Sequence, residues 1–369
     1  MPAQSLSRGR AFAIGAITAV FFAGTVGLER WARDGGDLDL KAALASVKSM
    51  PEPDATRALS RIAIGSCLRQ NRPAPIFDDV LAVKPDLLLM IGDNVYGDFK
   101  GDDSGPLKSA YITLAKHADF NKARASLPVL PIWDDHDYGV NDGGVEFKHK
   151  AVAGGLFHQF WGTTPERSLE DGIYYSRIYG TAGQRVQIIM LDTRSFRSPL
   201  RLKAPDSQLF GKFDPDPDPA KTVLGERQWA WLAAELQKPA EVRLIASSIQ
   251  ALAEGHGWER WGNLPRERQR FIDLLAKTST GALIVLSGDR HSGAFYATTA
   301  AGREIVELTA SSFNAPPPPN KDARVPPLAS DIYSKENFGL AEIDWGKKTV
   351  LLSLRGLNGE KFAERAVKF

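Results

Sequence analysis

Eight short runs rich in Ile, Val and Leu constrain this chain more than any other feature: Ile62 to Gly65, Asp86 to Ile91, Leu127 to Trp133, Val186 to Leu191, Val242 to Ala246, Ala282 to Leu286, Glu304 to Leu308 and Val350 to Leu354. Several are apolar at consecutive rather than alternate positions, the pattern of strands covered on both faces. The stretches between them predict helices at Pro75 to Val83, Leu107 to Ala125, Gly225 to Gln237 and Pro265 to Lys277. Strands alternating with helices predict an α/β core with its helices outside. Pro-rich stretches at 199–220 and 315–327 read as loops or lids over that core.

Five of the runs end in potential ligands. Cys67 follows the first, Asp93 and Tyr96 the second, Asp134-Asp135-His136-Asp137 the third, Asp192-Thr-Arg194 the fourth, and Asp289-Arg290-His291 the run at 282 to 286. Ligands in α/β proteins bind beyond the carboxyl ends of the strands, so the five clusters are expected in one crevice. Singly, each residue has an ordinary use: a lone Cys fills a core, an Asp after Gly92 caps a turn, a Tyr packs at half depth. The carboxylates around His136 repel one another unless a cation holds them. Asp289 and His291 fall on one side of an extended segment, as two ligands of one ion would. Thiolate and phenolate suit a trivalent or borderline ion and carboxylates a hard divalent one, so a mixed two-metal centre is expected. Such a centre supplies a hydroxide for in-line attack on phosphorus. Arg194 and Arg290 are the expected clamps for phosphoryl oxygens.

Composition narrows the alternatives. With 43% apolar and 24% charged residues and a net charge of +2, the chain is an ordinary globular one with no dense basic block, and no grip on nucleic acid is expected. One Cys cannot form an intrachain disulfide. The chain has no Gly-x-Ser-x-Gly turn and no Gly-rich Lys-Ser/Thr loop, which argues against a serine hydrolase and a P-loop ATPase.

Ala11 to Leu28 is free of charge over 18 residues, follows Arg8 and Arg10, and is followed directly by Glu29 and Arg30. That length and flank predict an uncleaved transmembrane anchor, with the rest of the chain outside the cytoplasm, periplasmic or extracellular. Residues 1–33 are therefore expected to form the anchor, 34–60 a linker carrying Gly35-Gly36, Pro51 and Pro53, and 61–369 the catalytic body.

Taken together, Gly65-Ser-Cys67, Gly92-Asp93-Asn-Val-Tyr96, Trp133-Asp-Asp-His136-Asp, Leu191-Asp-Thr-Arg194, Gly225-Glu-Arg-Gln-Trp229-Ala-Trp-Leu232 and Ser287-Gly-Asp-Arg-His291 resemble the motifs of the alkaline phosphatase D (PhoD-like) metallophosphatases, over about residues 60 to 355. The resemblance implies a four-layer α/β/β/α sandwich and hydrolysis of phosphate esters. It also implies an iron(III)-like ion on Cys67, Asp93 and Tyr96, with Asp93 bridging to a calcium-like ion. Asp135 would stand where related metallophosphatases often place Asn, and Asp289 and His291 would complete the centre. His136 resembles the histidine that protonates the leaving oxygen. Family members often carry a β-rich domain ahead of the catalytic region, where this chain has 34–60. The segment Gln250 to Trp261 matches the family loosely, and His256 within it is an open candidate. Two rival readings are a phosphodiesterase or phospholipase D-like hydrolase of lipid head groups or wall polymers, and a non-catalytic, surface-tethered module that holds metal or phosphate. The expected partner is a small or lipid-linked phosphate ester.

Overall fold

The computed structural model describes residues 37–45, 47–278, 281–318 and 322–369. Its first half runs α1 (Asp37–Ala45), β1 (Arg61–Gly65), α2 (Ile76–Ala82), β2 (Leu87–Ile91), α3 (Gly105–Ala115), α4 (Ala118–Arg124), β3 (Val129–Ile132), α5 (Asp135–Tyr138) and α6 (Lys150–Trp161). The second half runs β4 (Tyr175–Tyr179), β5 (Val186–Leu191), α7 (Gly225–Glu235), β6 (Val242–Ser247), α8 (Pro265–Ala276), β7 (Ala282–Ser287), β8 (Gly293–Ala300), β9 (Arg303–Ala310), β10 (Phe338–Asp344), β11 (Thr349–Arg355) and β12 (Lys361–Lys368). All eight predicted runs are strands.

The strands form two six-stranded sheets, ordered β12-β11-β10-β1-β2-β3 and β4-β5-β6-β7-β9-β8. The first sheet holds three parallel strands, β1-β2-β3, and the second four, β5-β6-β7-β9, with helical crossovers joining all but β7 to β9. Side chains alternate across the second sheet. Ile188, Met190, Leu244, Ala246, Ile284 and Leu286 join the core shared with the first sheet, whereas Ile189, Leu191, Ile245, Leu283 and Val285 pack with Trp229 and Leu232 of α7 and Phe271 of α8. The sheets thus face each other with helices outside, a mixed α/β two-sheet fold. Strands β2, β5, β6 and β7 are buried at every position, which is why they read as apolar runs, interrupted only by Gln187 in β5 and Arg243 in β6 before their last residues.

Two local expectations change. The helix predicted over Leu107 to Ala125 is two helices, because His117 leaves the helical conformation and its Nδ1 caps α4 by accepting from the Phe120 amide at 3.3 Å. The stretch 34–60 is not a free linker: α1 buries Leu40, Leu59 is buried, the Ala55 carbonyl accepts from the Gly180 amide, and Arg57 pairs with Asp86 at 2.7 Å. The apolar run Ala11 to Leu28 lies outside the described residues, and among those no helix is long and apolar enough to cross a membrane.

Candidate metal centre

The carboxyl ends of both sets of parallel strands meet at one edge of the sandwich. A Cβ on Gly92, after β2, would lie 2.5 Å from that of Asp134 after β3, and Gly92 has φ +112°, so both space and backbone require glycine there. From the facing sheet, the Gly288 amide donates to the Ser248 carbonyl at 2.8 Å, and Ser248 Oγ lies 2.5 Å from Thr193 Oγ1. Cys67, Asp93, Asp289 and His291 all hold left-handed backbone, with φ of 57°, 50°, 65° and 55°. For residues with a Cβ this costs about 1 kcal/mol or more each, a concentration of strain that marks functional turns.

The side chains converge. Cys67 Sγ lies 3.4 Å from Asp93 Oδ2, and the Tyr96 hydroxyl lies 3.2 Å from the same oxygen and 3.0 Å from His291 Nε2. Ligand atoms of Cys67, Asp93 and His291 fall within 4.8 Å of one another, as do those of Asp93, Asp135 and His136 and those of Asp134, Asp135 and Asp289. Asp93 thus belongs both to a thiol, phenol and imidazole group and to a group with Asp135 and His136. Asp93 Oδ1 and Asp134 Oδ2 are buried without a hydrogen-bond partner, an expensive state for carboxylate oxygens that a cation relieves. The donor set fits the mixed metal pair expected from the sequence.

Burial works against charge throughout. It pushes Asp93 and Asp134 well above the carboxylate range, Asp289 up to about 7 and the Cys67 thiol up to about 11. Tyr96 rises and His291 falls for the same reason. Burial also opposes the charges on Asp135 and His136, but each outweighs it for the other. Asp135, with Arg194 adding to the effect, is held below its ordinary range, and His136, with Asp93 adding to it, rises to about 10. Without metal, several of these acids hold protons that a cation would displace.

His136 Nδ1 is 2.6 Å from Asp98 Oδ2, its ring lies 4.2 Å from that of Tyr96, and the opposite nitrogen, Nε2, is the one Asp98 does not engage. Arg290, between Asp289 and His291, is largely buried and paired with Asp322 at 2.6 Å. Arg194 is placed differently. It is fully buried, its Nε donates to Asp134 Oδ1 at 2.5 Å, and its Nη1 donates to Glu259 Oε2 at 2.6 Å. The two acids outweigh burial and keep it charged, so it braces a carboxylate of the centre rather than standing open to a ligand. His256 is likewise enclosed: Nε2 is 3.0 Å from Gln250 Oε1 and Nδ1 accepts from the Trp258 amide, while burial holds its pKa well below the usual histidine value.

Of the Asp134–Asp137 group, Asp137 is structural, accepting from the Asn94 and Asp134 amides. Asp192 likewise accepts from the amides of Ile173, Arg194 and Ser195. Sequence reasoning placed Asp134 in a cluster of potential ligands without separating it from its neighbours, and missed three contributors: Asp98, Asp142 and Glu259. Asp98 follows Tyr96 by two residues. Glu259 lies in the loosely matching segment, and no spacing ties it to Arg194, 65 residues earlier.

The PhoD-like phosphatase family matches residues 62–340, well over half of the sequence. The chain belongs to that family. Alkaline phosphatase D of Bacillus subtilis (strain 168) is 22% identical over 289 residues, 68% of this chain and 48% of that protein, so the chain spans about half the length of this curated relative. A solved structure of PhoD superposes with a TM-score of 0.67 at 15% identity, covering 86% of this chain and 70% of that one. GAP50, the anchor in the inner membrane complex of Plasmodium, superposes at 0.54 and 12% identity, covering 85% and 90%. At these identities the two structures show a shared fold, which agrees with the two facing sheets described above.

Proposed function

We propose that this chain is a metal-dependent hydrolase of phosphate esters. The observation that carries the reading is the convergence of Cys67, Asp93, Tyr96, Asp134, Asp135, Asp289 and His291 on one crevice, with two buried carboxylate oxygens left unpartnered. Family membership and the alkaline phosphatase D relative support it. Cys67, Tyr96 and His291 would hold an iron(III)-like ion, Asp134, Asp135 and Asp289 a calcium-like one, and Asp93 both. Metal ions so held supply a nucleophile at neutral pH and offset phosphoryl charge. His136 protonates the leaving oxygen from Nε2, its ring fixed by Asp98 at Nδ1. Arg290 binds phosphoryl oxygens, exchanging its contact with Asp322 for one with substrate. Arg194 acts from behind, holding Asp134 in place. The apolar run Ala11 to Leu28 supports a membrane-tethered body acting outside the cytoplasm.

Replacing Asp93 or Asp289 by Ala is expected to abolish ester hydrolysis while the far-ultraviolet dichroism stays that of the parent. Turnover retained by either variant rejects the assignment. Thiolate or phenolate on iron(III) gives visible charge-transfer absorption, so an active, colourless protein rejects iron. Rates on one monoester and one diester decide between phosphatase and phosphodiesterase.

A further inference from the structure

The loosely matching segment Gln250 to Trp261 scaffolds both Pro-rich loops. The Gly257 amide donates to the Phe210 carbonyl at 2.8 Å, and the Gly257 carbonyl accepts from the Lys212 and Phe213 amides at 2.8 and 2.7 Å. A Cβ at Gly211 would lie 2.3 Å from the Gly257 carbonyl carbon, so the two backbones are in direct contact. On the other flank, the Ala323 amide donates to the Gly255 carbonyl at 3.1 Å. This ladder sets Phe210 against Trp258, edge to face, with ring centroids 5.7 Å apart.

The aromatic pair abuts the metal centre through two cations. The Arg290 guanidinium, between the candidate ligands Asp289 and His291, lies 5.6 Å from the centroid of the Trp258 ring. Lys212 Nζ lies 5.9 Å from the same centroid and pairs with Asp142 Oδ2 at 2.6 Å, and the Asp142 amide donates to Asp135 Oδ2 at 2.7 Å. Among the described residues the exposed large hydrophobics are Val145, Leu202, Phe210 and Val325, at 47%, 74%, 46% and 37% exposure. All four sit on loops tied to this centre: Val145 three residues past Asp142, Leu202 bridged to Phe213, Phe210 on Gly257, and Val325 beside Gly255. Exposed apolar side chains on loops tied to a polar, acidic crevice mark a binding surface.

We infer that Phe210 and Trp258 form a subsite for the apolar body of the leaving alcohol, so that the chain prefers phosphate esters of aryl or long-chain alcohols to those of small polar ones. The inference rests on the phosphate-ester reading above. The phosphoryl group is held at the metals and Arg290, and the ring pair contributes contacts that only an apolar leaving group makes. Such contacts move selectivity, not the chemistry common to all esters.

The test compares kcat/KM for phenyl phosphate, octyl phosphate and glycerol phosphate in the parent, Phe210→Ala, Phe210→Tyr and Trp258→Leu. The parent is expected to favour phenyl and octyl phosphate over glycerol phosphate. Phe210→Ala lowers that preference about five- to tenfold, and Phe210→Tyr restores it. Loss for phenyl phosphate alone marks ring stacking, and loss for both apolar esters marks general apolar contact. Because Phe210 is half exposed, its truncation leaves folding intact even where Trp258→Leu does not. A preference unmoved by Phe210→Ala, or a parent with no preference, overturns the subsite. A parent that hydrolyses none of the three, nor a phosphodiester such as bis(4-nitrophenyl) phosphate, rejects the hydrolase reading itself, and the subsite falls with it.

Discussion

Arg194 shows how the centre stabilises its own charges. It is enclosed by Asp134 and Glu259, and Arg197 braces Glu259 from the far side at 2.7 Å. Truncating Arg194 strands two buried carboxylates, and breaking a buried pair of this kind costs about 3–5 kcal/mol. Arg194→Ala is therefore expected to lower the denaturant midpoint sharply, where a residue serving only as a substrate clamp would leave it near the parent. Cys67 behaves oppositely. Its buried thiol contacts Asp93 and Ser311 Oγ, at 3.1 Å from the latter, and Cys67→Ser keeps a polar atom of smaller volume there. That variant is expected to stay folded and to lose about 100-fold or more in turnover, together with bound metal. Wild-type metal content in Cys67→Ser would remove the thiol from the ligand set.

Among the elements, the eight strands legible in the sequence each carry a dense apolar run, and four of them are buried at every position. β2, β5, β6 and β7 are covered on both faces, so their apolar runs needed no context. β4 and β12 are edge strands of mixed polarity, Tyr-Ser-Arg-Ile-Tyr and Lys-Phe-Ala-Glu-Arg-Ala-Val-Lys, and only pairing with β5 and β11 makes them strands. α6 carries Gly154-Gly155, which weakens any local helical signal, yet burial of Leu156, Phe157, Phe160 and Trp161 holds it. His158 on this helix bonds Thr163 through Nδ1 at 2.8 Å, and burial lowers its pKa from 6.5 to about 4. The folded state favours the neutral ring. Its contribution is complete above pH 6.5 and is lost as the pH falls toward 4, because the unfolded chain takes up the proton first. A His158→Gln variant is expected to show a shallower loss of stability between pH 7 and 4.5, read by urea midpoints at each pH. Slopes equal to the parent's would show that His158 titrates normally.

At the scale of the whole molecule, two sheets supply one centre: β4 to β9 form one continuous stretch of chain, and the other sheet draws β1–β3 and β10–β12 from either side of it. Cys67, Asp93 and Asp135 come from the first sheet, Asp289 and His291 from the second, and Ser311, after β9, bonds both Cys67 and the His291 amide. Position along the chain revealed the candidate ligands because strand ends are easy to read. It did not reveal which acids face the metals and which cap turns, since that depends on turn geometry such as the left-handed Asp93 and the capping role of Asp137. The same assembly is expected to couple metal to protons. With burial pushing Asp289 up to about 7 and the thiol up to about 11, a metal bound by them is expected to displace protons, so that affinity rises with pH. Calorimetry in buffers of different ionisation enthalpy reads the release, and heats independent of buffer would contradict it.

The central claim is that hydrolysis depends on metal held by residues from both sheets. The most direct test is a titration of metal-stripped protein, following turnover of a phosphate ester against bound metal per chain. We predict no turnover in the stripped protein, recovery that reaches its maximum at two ions per chain, and no recovery in Asp93→Ala. Full turnover in protein with less than about a tenth of an ion per chain would contradict it.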